Sequence, residues 1–417
     1  MNVELLAYPF LFAAIYFEAF LLVTLLFGPE KRTTASASKE KHLPNVAMVV
    51  PCFNEGETVR RTTQSLLALS YPEDKLTVVL VNDGSSDNTK DIMDEFLGHP
   101  RVTVIHQANG GKHTALNAGI NASKEAEIIG CLDADSFVDA GALLEMIPYF
   151  EDPKVGATTA AMSVHKPENL LEHMQNAEYI MGIALRHILA HVNGLHVTPG
   201  PFSLYRKSII LELGGFKSGH NTEDMEIALR IQRAGYKIAS AHNARVFTKV
   251  PRSVPALIKQ RVRWTTGFLR NVLYDYRDLI GNPRYGTLGM LILPLGFFAI
   301  LGGVLLFALA LLQLGRALVA WVTNALSVPL SYTLSTLVPN ISFSEWFYVP
   351  ITIVLLLAVV GALGAIGFIL VGKRISNTPG KLIAGVAGYV LIYGLIAPFW
   401  LLRSVADVAT NTRRPWR

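Results

Sequence analysis

The architecture of this chain is best understood from Glu127-Ile-Ile-Gly-Cys-Leu-Asp-Ala-Asp-Ser136. A short apolar run leads to Asp133 and Asp135, and a run of that length and content is typical of a fully buried strand. The two carboxylates then lie at the carboxyl end of the strand, where open α/β sheets bind ligands. One of them can hold a hydroxyl-rich ligand, and the other a hard divalent cation that also binds phosphates. An ordinary strand end with two solvated acids is the alternative.

Strands and helices alternate on both sides of this stretch. The predicted order is strand 46–50, helix 57–69, strand 76–81, helix 88–97, strand 102–106, helix 112–122 and the strand into Asp133. Such alternation predicts parallel βαβ units and a sheet covered on both faces. A strand at 155–164 and helices at 168–191, 222–234 and 253–279 follow, and the last is amphipathic and basic, as in a helix lying in a membrane interface. The fold class is therefore a Rossmann-like α/β domain joined to an all-α transmembrane region.

The transmembrane prediction rests on apolar runs near the two ends of the chain. Residues 5–27, 288–314, 346–371 and 382–402 are each long enough to cross a bilayer, which gives four crossings. Residues 317–338 contain Asn324 and Pro329 and are interpreted as an external re-entrant or interfacial piece, with a fifth crossing as the alternative. Lysines and arginines at 31, 32, 39 and 41 follow the first run, so the positive-inside rule places the next domain in the cytoplasm.

Composition narrows the class of partner. The net charge is +5, which suits anionic lipid as well as nucleic acid. The basic residues cluster beside the apolar runs and are not interleaved with stacking aromatics, so no nucleic-acid partner is expected. Cys52 and Cys131 both fall in strand-like runs and are interpreted as small buried hydrophobes.

Two further strand ends are polar. Val49-Val-Pro-Cys-Phe-Asn-Glu-Gly56 follows the first strand, and Val81-Asn-Asp-Gly-Ser-Ser-Asp87 follows the second. Glu55 and Asp83 could accept hydrogen bonds from a base or ribose there, although each alone equally suits a turn or a helix cap. Asn109-Gly-Gly-Lys112 opens a helix, where amides and a cation suit a diphosphate, and a capped helix with a surface lysine is the alternative.

Two later segments suit catalysis and binding. Asn221-Thr-Glu-Asp224 presents a carboxylate that could act as a general base. Gln260-Arg-Val-Arg-Trp264 lies on the basic helix, where a guanidinium could clamp phosphate. The Trp264 ring could stack on a sugar or anchor the helix at the lipid interface.

Together these segments resemble those of the membrane-embedded family 2 glycosyltransferases, inverting enzymes with a GT-A fold. The resemblance runs from about Val46 to Asn271 through Pro-Cys-Phe-Asn-Glu, Asp-Gly-Ser-Ser-Asp, Asn-Gly-Gly-Lys, Asp-Ala-Asp, Thr-Glu-Asp and Gln-Arg-Val-Arg-Trp. The last motif is shared by hyaluronan, cellulose, chitin and poly-N-acetylglucosamine synthases. One transmembrane helix before the catalytic domain and several after it are also similar to that group.

The resemblance implies a role for each matched residue. Asp224 would be the catalytic base, with Glu223 beside it, and Asp135 would ligate Mg²⁺ or Mn²⁺. Gln260, Trp264 and Thr222 would bind the acceptor. The nucleotide sugar would be held by Pro51, Asn54, Glu55, Asp83, Lys112, Asp133 and Arg263.

It also implies a domain organisation. A transmembrane helix (1–30) and a linker (31–44) precede the GT-A domain (45–251), interface helices carry the Gln-to-Trp motif (252–285), and transmembrane helices (286–404) and a basic tail (405–417) complete the chain. The expected location is multi-pass in the plasma membrane, in contact with its lipids, with the catalytic domain cytoplasmic.

The leading hypothesis is a processive synthase that extends a β-linked polysaccharide from a UDP-sugar, with N-acetylglucosamine as the expected sugar, and exports it. A non-processive enzyme that adds one sugar to a lipid, similar to ceramide glucosyltransferases, shares the motifs and is the alternative. A catalytically dead scaffold would have lost the acids, which this chain retains. Thr198-Pro-Gly-Pro-Phe-Ser203 stands where many synthases have Ser-Gly, which leaves acceptor specificity open. Because the crossings are few, a homo-oligomer or a small membrane subunit is a further expectation.

Overall fold

The structure is a computed structural model that describes residues 3–27, 43–327, 353–378, 380 and 382–412. It consists of two compact units. The larger comprises Leu21–Pro294 and Ala365–Arg417, and the smaller comprises Met1–Phe20 and Leu295–Gly364. Residues 31–42 of the predicted linker, residues 413–417 of the predicted tail and residues 328–352 lie outside the described residues.

A single sheet forms the centre of the larger unit. Its strands are β1 (Val46–Cys52), β2 (Leu76–Asp83), β3 (Val102–Gln107), β4 (Ile128–Cys131), β5 (Ser136–Val138), β6 (Val155–Val164), β7 (Ser203–Arg206) and β8 (Lys237–Thr248). They lie in the order β3-β2-β1-β4-β7-β6-β8-β5. The first four strands in this order run parallel to one another, as predicted. Their Val-, Ile- and Leu-rich runs are buried, as expected for strands covered on both faces.

The rest of the sheet is mixed, so the prediction of parallel units holds only for its first half. Strand β7 runs antiparallel to β4 and β6, and β5 runs antiparallel to β8. Strands β5, β7 and β8 were not predicted. Strand β5 has only three residues and β7 only four, whereas β8 has register shifts in its pairing with β6 and a burial pattern that does not alternate cleanly.

Helices cover the sheet and carry the predicted motifs. They are α2 (Val59–Leu67), α3 (Thr89–Asp94), α4 (Lys112–Ala122), α5 (Ala142–Met146), α6 (Leu170–His191), α7 (Lys207–Glu212), α8 (Glu223–Arg233) and α9 (Val254–Arg270). Helix α6 starts with a capping box in which the Asn169 side chain accepts from the Glu172 amide and the Glu172 carboxylate accepts from the Asn169 amide.

Helix α9 is shorter than the predicted 253–279, because the α-helix gives way to a π-helical turn at Asn271–Asp275. The Asn271 side-chain amide donates to the carbonyls of Gly219 and Gly267 and so ties this turn to the loop before α8.

Within the part of the chain that the structure describes, four helical segments are long and apolar enough to cross a membrane: Tyr8–Phe27, Leu288–Ser327, Leu355–Ser376 and Ile383–Ala409. They contain α1 (Tyr8–Phe27), α10 (Leu293–Ser327), α11 (Ile353–Ser376), α12 (Ile383–Gly388) and α13 (Gly394–Ala409). The predicted end of the second apolar run at residue 314, before a separate piece at 317–338, is wrong. Helix α10 continues to Ser327 because the residues in between include good helix formers such as Ala and Leu. Pro329 and the remainder of the predicted interfacial piece lie outside the described residues.

Candidate active site

A cleft of about 1380 Å³ opens at the carboxyl ends of β1, β2 and β4 and continues between α6, α8 and α9. Every predicted site residue except Asn54 lines it. The lining residues in that set are Pro51, Glu55, Asp83, Lys112, Asp133, Asp135, Thr222, Glu223, Asp224, Gln260, Arg263 and Trp264. Residues that follow the strands β1, β2 and β4 therefore line the same cleft as residues of α8 and α9.

Asn54 holds the loops that follow β1 and β2 together. It adopts a left-handed backbone conformation, with φ of 56°. Its amide donates to Ser85 Oγ at 3.0 Å, and its side-chain oxygen accepts from the Ser86 amide at 2.8 Å. Asn54 thus shapes the rim beside Pro51 and Glu55.

Asp83, at the end of β2, organises the glycine loop before α4. Its carboxylate accepts from the amides of Gly110 and Gly111 at 3.0 and 2.9 Å and from Gln107 Nε2 at 2.7 Å. Gly111 has φ of 90°, a conformation that glycine adopts without strain. This contact sets where α4 begins and therefore where Lys112 lies.

Lys112 bridges the end of β4 and the start of α8. Its Nζ lies 2.6 Å from Asp133 Oδ1 and 3.1 Å from Glu223 Oε1. Burial disfavours the charged amine, but the carboxylates of Asp133, Glu223 and Asp224 hold the pKa of Lys112 well above its usual value. The backbone at Gly200 closes over this pair, since a Cβ there would lie 2.7 Å from Lys112 Nζ.

Asp135 has the features of a cation ligand. It accepts hydrogen bonds from the hydroxyls of Ser136 at 3.1 Å and Thr248 at 3.5 Å. Burial, with the charges of Asp133 and Glu55, raises the pKa of Asp135 to about 7, and a bound cation would reverse that shift. No group of three or more His, Cys, Asp or Glu side chains within the described ranges is arranged to hold a metal ion. A cation at Asp135 would therefore need substrate phosphates or water as further ligands, which suits Mg²⁺.

Two neighbouring acids in the first turn of α8 have pKa values shifted in opposite directions. Burial opposes ionisation of Glu223, but Lys112 outweighs it and lowers the pKa of Glu223. Burial and the charge of Glu223 raise the pKa of Asp224 to about 6, although Lys112 and Arg263 oppose the rise. Asp224 thus has the acidity expected of a general base near neutral pH, whereas Glu223 remains an ion-pair partner.

The Thr222 hydroxyl is used within the protein. It donates to the Gly219 carbonyl at 2.6 Å and accepts from Asn271 Nδ2 at 3.0 Å. On α9, Arg263 Nη1 donates to the Asn221 carbonyl at 2.8 Å. The hydrogen bonds of Thr222 and of Arg263 hold the loop before Asp224 in place.

The Trp264 ring is held by its neighbour in the motif. The Arg261 guanidinium lies 4.1 Å from the ring centroid and pairs with Glu178 Oε2 of α6 at 2.7 Å. Gln260 Oε1 is buried and has no hydrogen-bond partner among the described residues. Arg186, His196 and Thr266 also line the cleft, and they belong to no motif that the sequence displays.

The chain is similar in sequence to known proteins. A family model described as "Glycosyltransferase like family 2" matches residues 44–267. The poly-beta-1,6-N-acetyl-D-glucosamine synthase of Staphylococcus epidermidis is 32% identical over 259 residues, which are 61% of this chain and 62% of that protein. The synthase of Staphylococcus aureus (strain COL) is 32% identical over 246 residues, 58% of this chain and 59% of that protein. The matched region thus spans about three-fifths of the length of these curated relatives.

A solved structure covers nearly the whole chain. The mannosyltransferase PcManGT from Pyrobaculum calidifontis, in complex with GDP-Man and Mn²⁺, superposes with a TM-score of 0.62 at 17% identity. The match covers 98% of this chain and 99% of that chain, which shows a shared GT-A fold.

Proposed function

The chain belongs to glycosyltransferase family 2, and from this premise we propose that it transfers N-acetylglucosamine from UDP-N-acetylglucosamine to a growing β-linked polysaccharide. The hexosyltransferase class follows from the family. The sugar and the polymeric product are supported by the two staphylococcal relatives, which are named as poly-N-acetylglucosamine synthases.

The acids at the strand ends would bind the donor. Asp83 and Asp133, with Glu55, would hold the uridine, and Lys112 and Arg263 would lie near the diphosphate. A divalent cation at Asp135 would neutralise the departing diphosphate when bound, and the solved mannosyltransferase contains Mn²⁺. The remaining steps use side chains of this protein.

Asp224 is the proposed base. The acceptor hydroxyl would give its proton to the Asp224 carboxylate while its oxygen attacks the anomeric carbon. The bond from that carbon to the diphosphate oxygen would break with in-line geometry, so the anomeric configuration inverts. Gln260 and Trp264 would hold the acceptor in line, and positioning and electrostatics would supply most of the acceleration.

The four apolar helical segments support a multi-pass membrane location. We propose that the catalytic domain is cytoplasmic, as the positive-inside rule favours, and that synthesis is coupled to export. A second copy of the chain or a small membrane subunit would complete the transmembrane path.

The observation that carries the proposal is the meeting of Asp135, Lys112 and Asp224 in one cleft. The test is to supply the purified protein, in lipid nanodiscs with Mn²⁺, with UDP-N-acetylglucosamine and to size the products. We expect long polymer from the wild-type protein and none from Asp224→Asn. A lipid carrying a single sugar would refute the processive synthase and support a glycolipid-forming enzyme.

A further inference from the structure

The cleft continues beyond the catalytic acids into an arm between the later parts of α6 and α9. Arg252, just before α9, pairs with Glu172 near the start of α6 at 3.0 Å. Further along both helices, Arg261 pairs with Glu178 at 2.7 Å. The two helices therefore run side by side in the same direction, so their carboxyl-terminal halves flank this distal arm. The His196 ring, which follows α6, lies 6.1 Å from the ring of Phe268 on α9 at the same end.

One face of α6 lines the cleft along its length. Tyr179, Gly182 and Arg186 follow each other at helical spacing, so they share that face. Burial raises the pKa of Tyr179 to about 12, and a smaller contribution from Asp135 shows that the tyrosine lies near the catalytic end. The Cα of Arg186 is seven residues later, about 10 Å further along the helix axis. Its side chain turns back over Gly182, where an added Cβ would lie 3.1 Å from Arg186 Nη1, so the guanidinium lies in the cleft about one helical turn past Tyr179.

Arg186 is a cation without a counter-ion. Burial lowers the pKa of Arg186 to about 10, so the guanidinium is still charged at neutral pH. Its Nη2 is buried with no hydrogen-bond partner in the described part of the chain, and no ion pair to it is present there. Leaving such a group unsatisfied is costly, so ligand oxygens at this position would explain it.

The other unsatisfied atoms in the cleft identify the chemical class of the ligand. Arg186 Nη2 and Arg270 Nε can only donate, Gln260 Oε1 can only accept, and Thr266 Oγ1 can do both. His196 Nδ1 is also unsatisfied, and its imidazole is neutral because burial lowers the pKa of His196 to about 4. A phosphate only accepts and would leave Gln260 unsatisfied. Saccharide hydroxyls both donate and accept, so they can pair with every member of the set.

We propose that the distal arm binds the sugar units behind the reacting end of the acceptor, and that Arg186 donates a hydrogen bond to an oxygen of one of these units. His196 and Thr266 line the same subsite. The inference rests on the proposed function, because it assumes a saccharide acceptor. It assigns to acceptor binding three residues outside the family motifs.

The test compares Arg186→Met with Arg252→Met. Each variant removes one arginine: Arg186 lies on α6, and Arg252 lies just before α9 and pairs with Glu172 of α6. Unlike Arg186, Arg252 is exposed and does not line the cleft. The probe is a defined β-1,6-linked N-acetylglucosamine oligosaccharide, and its affinity for the protein is measured by tryptophan fluorescence. The length of the polymer that each variant makes is measured separately. We expect Arg186→Met to weaken binding roughly 10- to 100-fold, the value of one charge-assisted hydrogen bond, and to shorten the polymer. Arg186→Lys should restore part of both, and Arg252→Met should resemble the wild type.

Thermal stability separates binding from a structural role. Removing an unpaired buried charge should leave the melting temperature of Arg186→Met at or above that of the wild type. A lower melting temperature with a parallel loss of donor and oligosaccharide affinity would overturn the inference. If Arg186→Met leaves the polymer length and the oligosaccharide affinity unchanged, the inference about Arg186 is overturned while the proposed function stands. If the wild type makes no polymer but binds the oligosaccharide in an Arg186-dependent way, the inference is still supported. If the wild type neither makes polymer nor binds the oligosaccharide, the inference and the proposed function are both refuted.

Discussion

Lowering the pH from 7 to 5 should suppress the transferase reaction by protonating Asp224. The carboxylate must be ionised to accept the proton of the acceptor hydroxyl, and its pKa is raised to about 6 by burial and by Glu223. About nine-tenths of the Asp224 side chains are then ionised at pH 7 and about one-tenth at pH 5, so kcat/KM should fall about tenfold. An aspartate with an ordinary pKa would remain more than about nine-tenths ionised at pH 5.

The assay is UDP release at saturating acceptor and constant ionic strength across this range. Asp135 also titrates here, with a pKa of about 7. A bound cation favours the ionised form of Asp135. Raising the Mn²⁺ concentration should therefore shift the fall in rate caused by protonation of Asp135 to lower pH, and should leave the fall caused by protonation of Asp224 at the same pH. A rate that stays flat from pH 7 to 5 at saturating Mn²⁺ would refute the assignment of Asp224 as the base.

Three further predictions concern the residues around the base. Asp135→Asn should abolish activity at ordinary Mn²⁺ concentrations while the protein stays folded, and a Mn²⁺ titration of UDP release would test this; unchanged dependence would exclude Asp135 as the cation ligand. Gly200→Ala should cut kcat sharply because its Cβ would lie 2.7 Å from Lys112 Nζ, whereas Gly141→Ala, with no atom within 4 Å, should leave kcat unaltered. Lys112→Met should destabilise the protein by about 3–5 kcal/mol in denaturant titrations by leaving buried carboxylates unpaired, and the exposed Lys249→Met by less than about 0.5 kcal/mol; equal effects would contradict this.

The strand-end half of the site was predictable because each of its segments carries a local signal. Asp133 and Asp135 follow an apolar run, and a polar turn with Asp83 follows another. In a parallel sheet such ends meet at one edge, so the pattern alone brings these acids together. The raised pKa values of Asp135 and Asp224 were not predictable, because they depend on how deeply each carboxyl is buried and on which carboxylates the fold places beside it.

The helical half of the site depends on contacts between distant segments. The sequence indicates that Thr222 is near the base, but not that its hydroxyl is already paired with Gly219 and Asn271. Arg186 carries no signal at all, because its lack of a hydrogen-bond partner among the described residues follows from which side chains the fold brings around it. Strand β8 was missed for the same kind of reason, since tertiary pairing with β5 and β6 overrides a weak local pattern.

The most direct test of the account compares donor binding with turnover in Asp224→Asn. The substitution removes the proposed base and leaves the strand-end acids and Lys112 in place. The account predicts that the affinity for UDP-N-acetylglucosamine stays within a few-fold of the wild type while UDP release falls by about 10²–10⁴-fold, the usual contribution of a general base. Turnover that survives the substitution would contradict the claim that this cleft transfers sugar with Asp224 as its base.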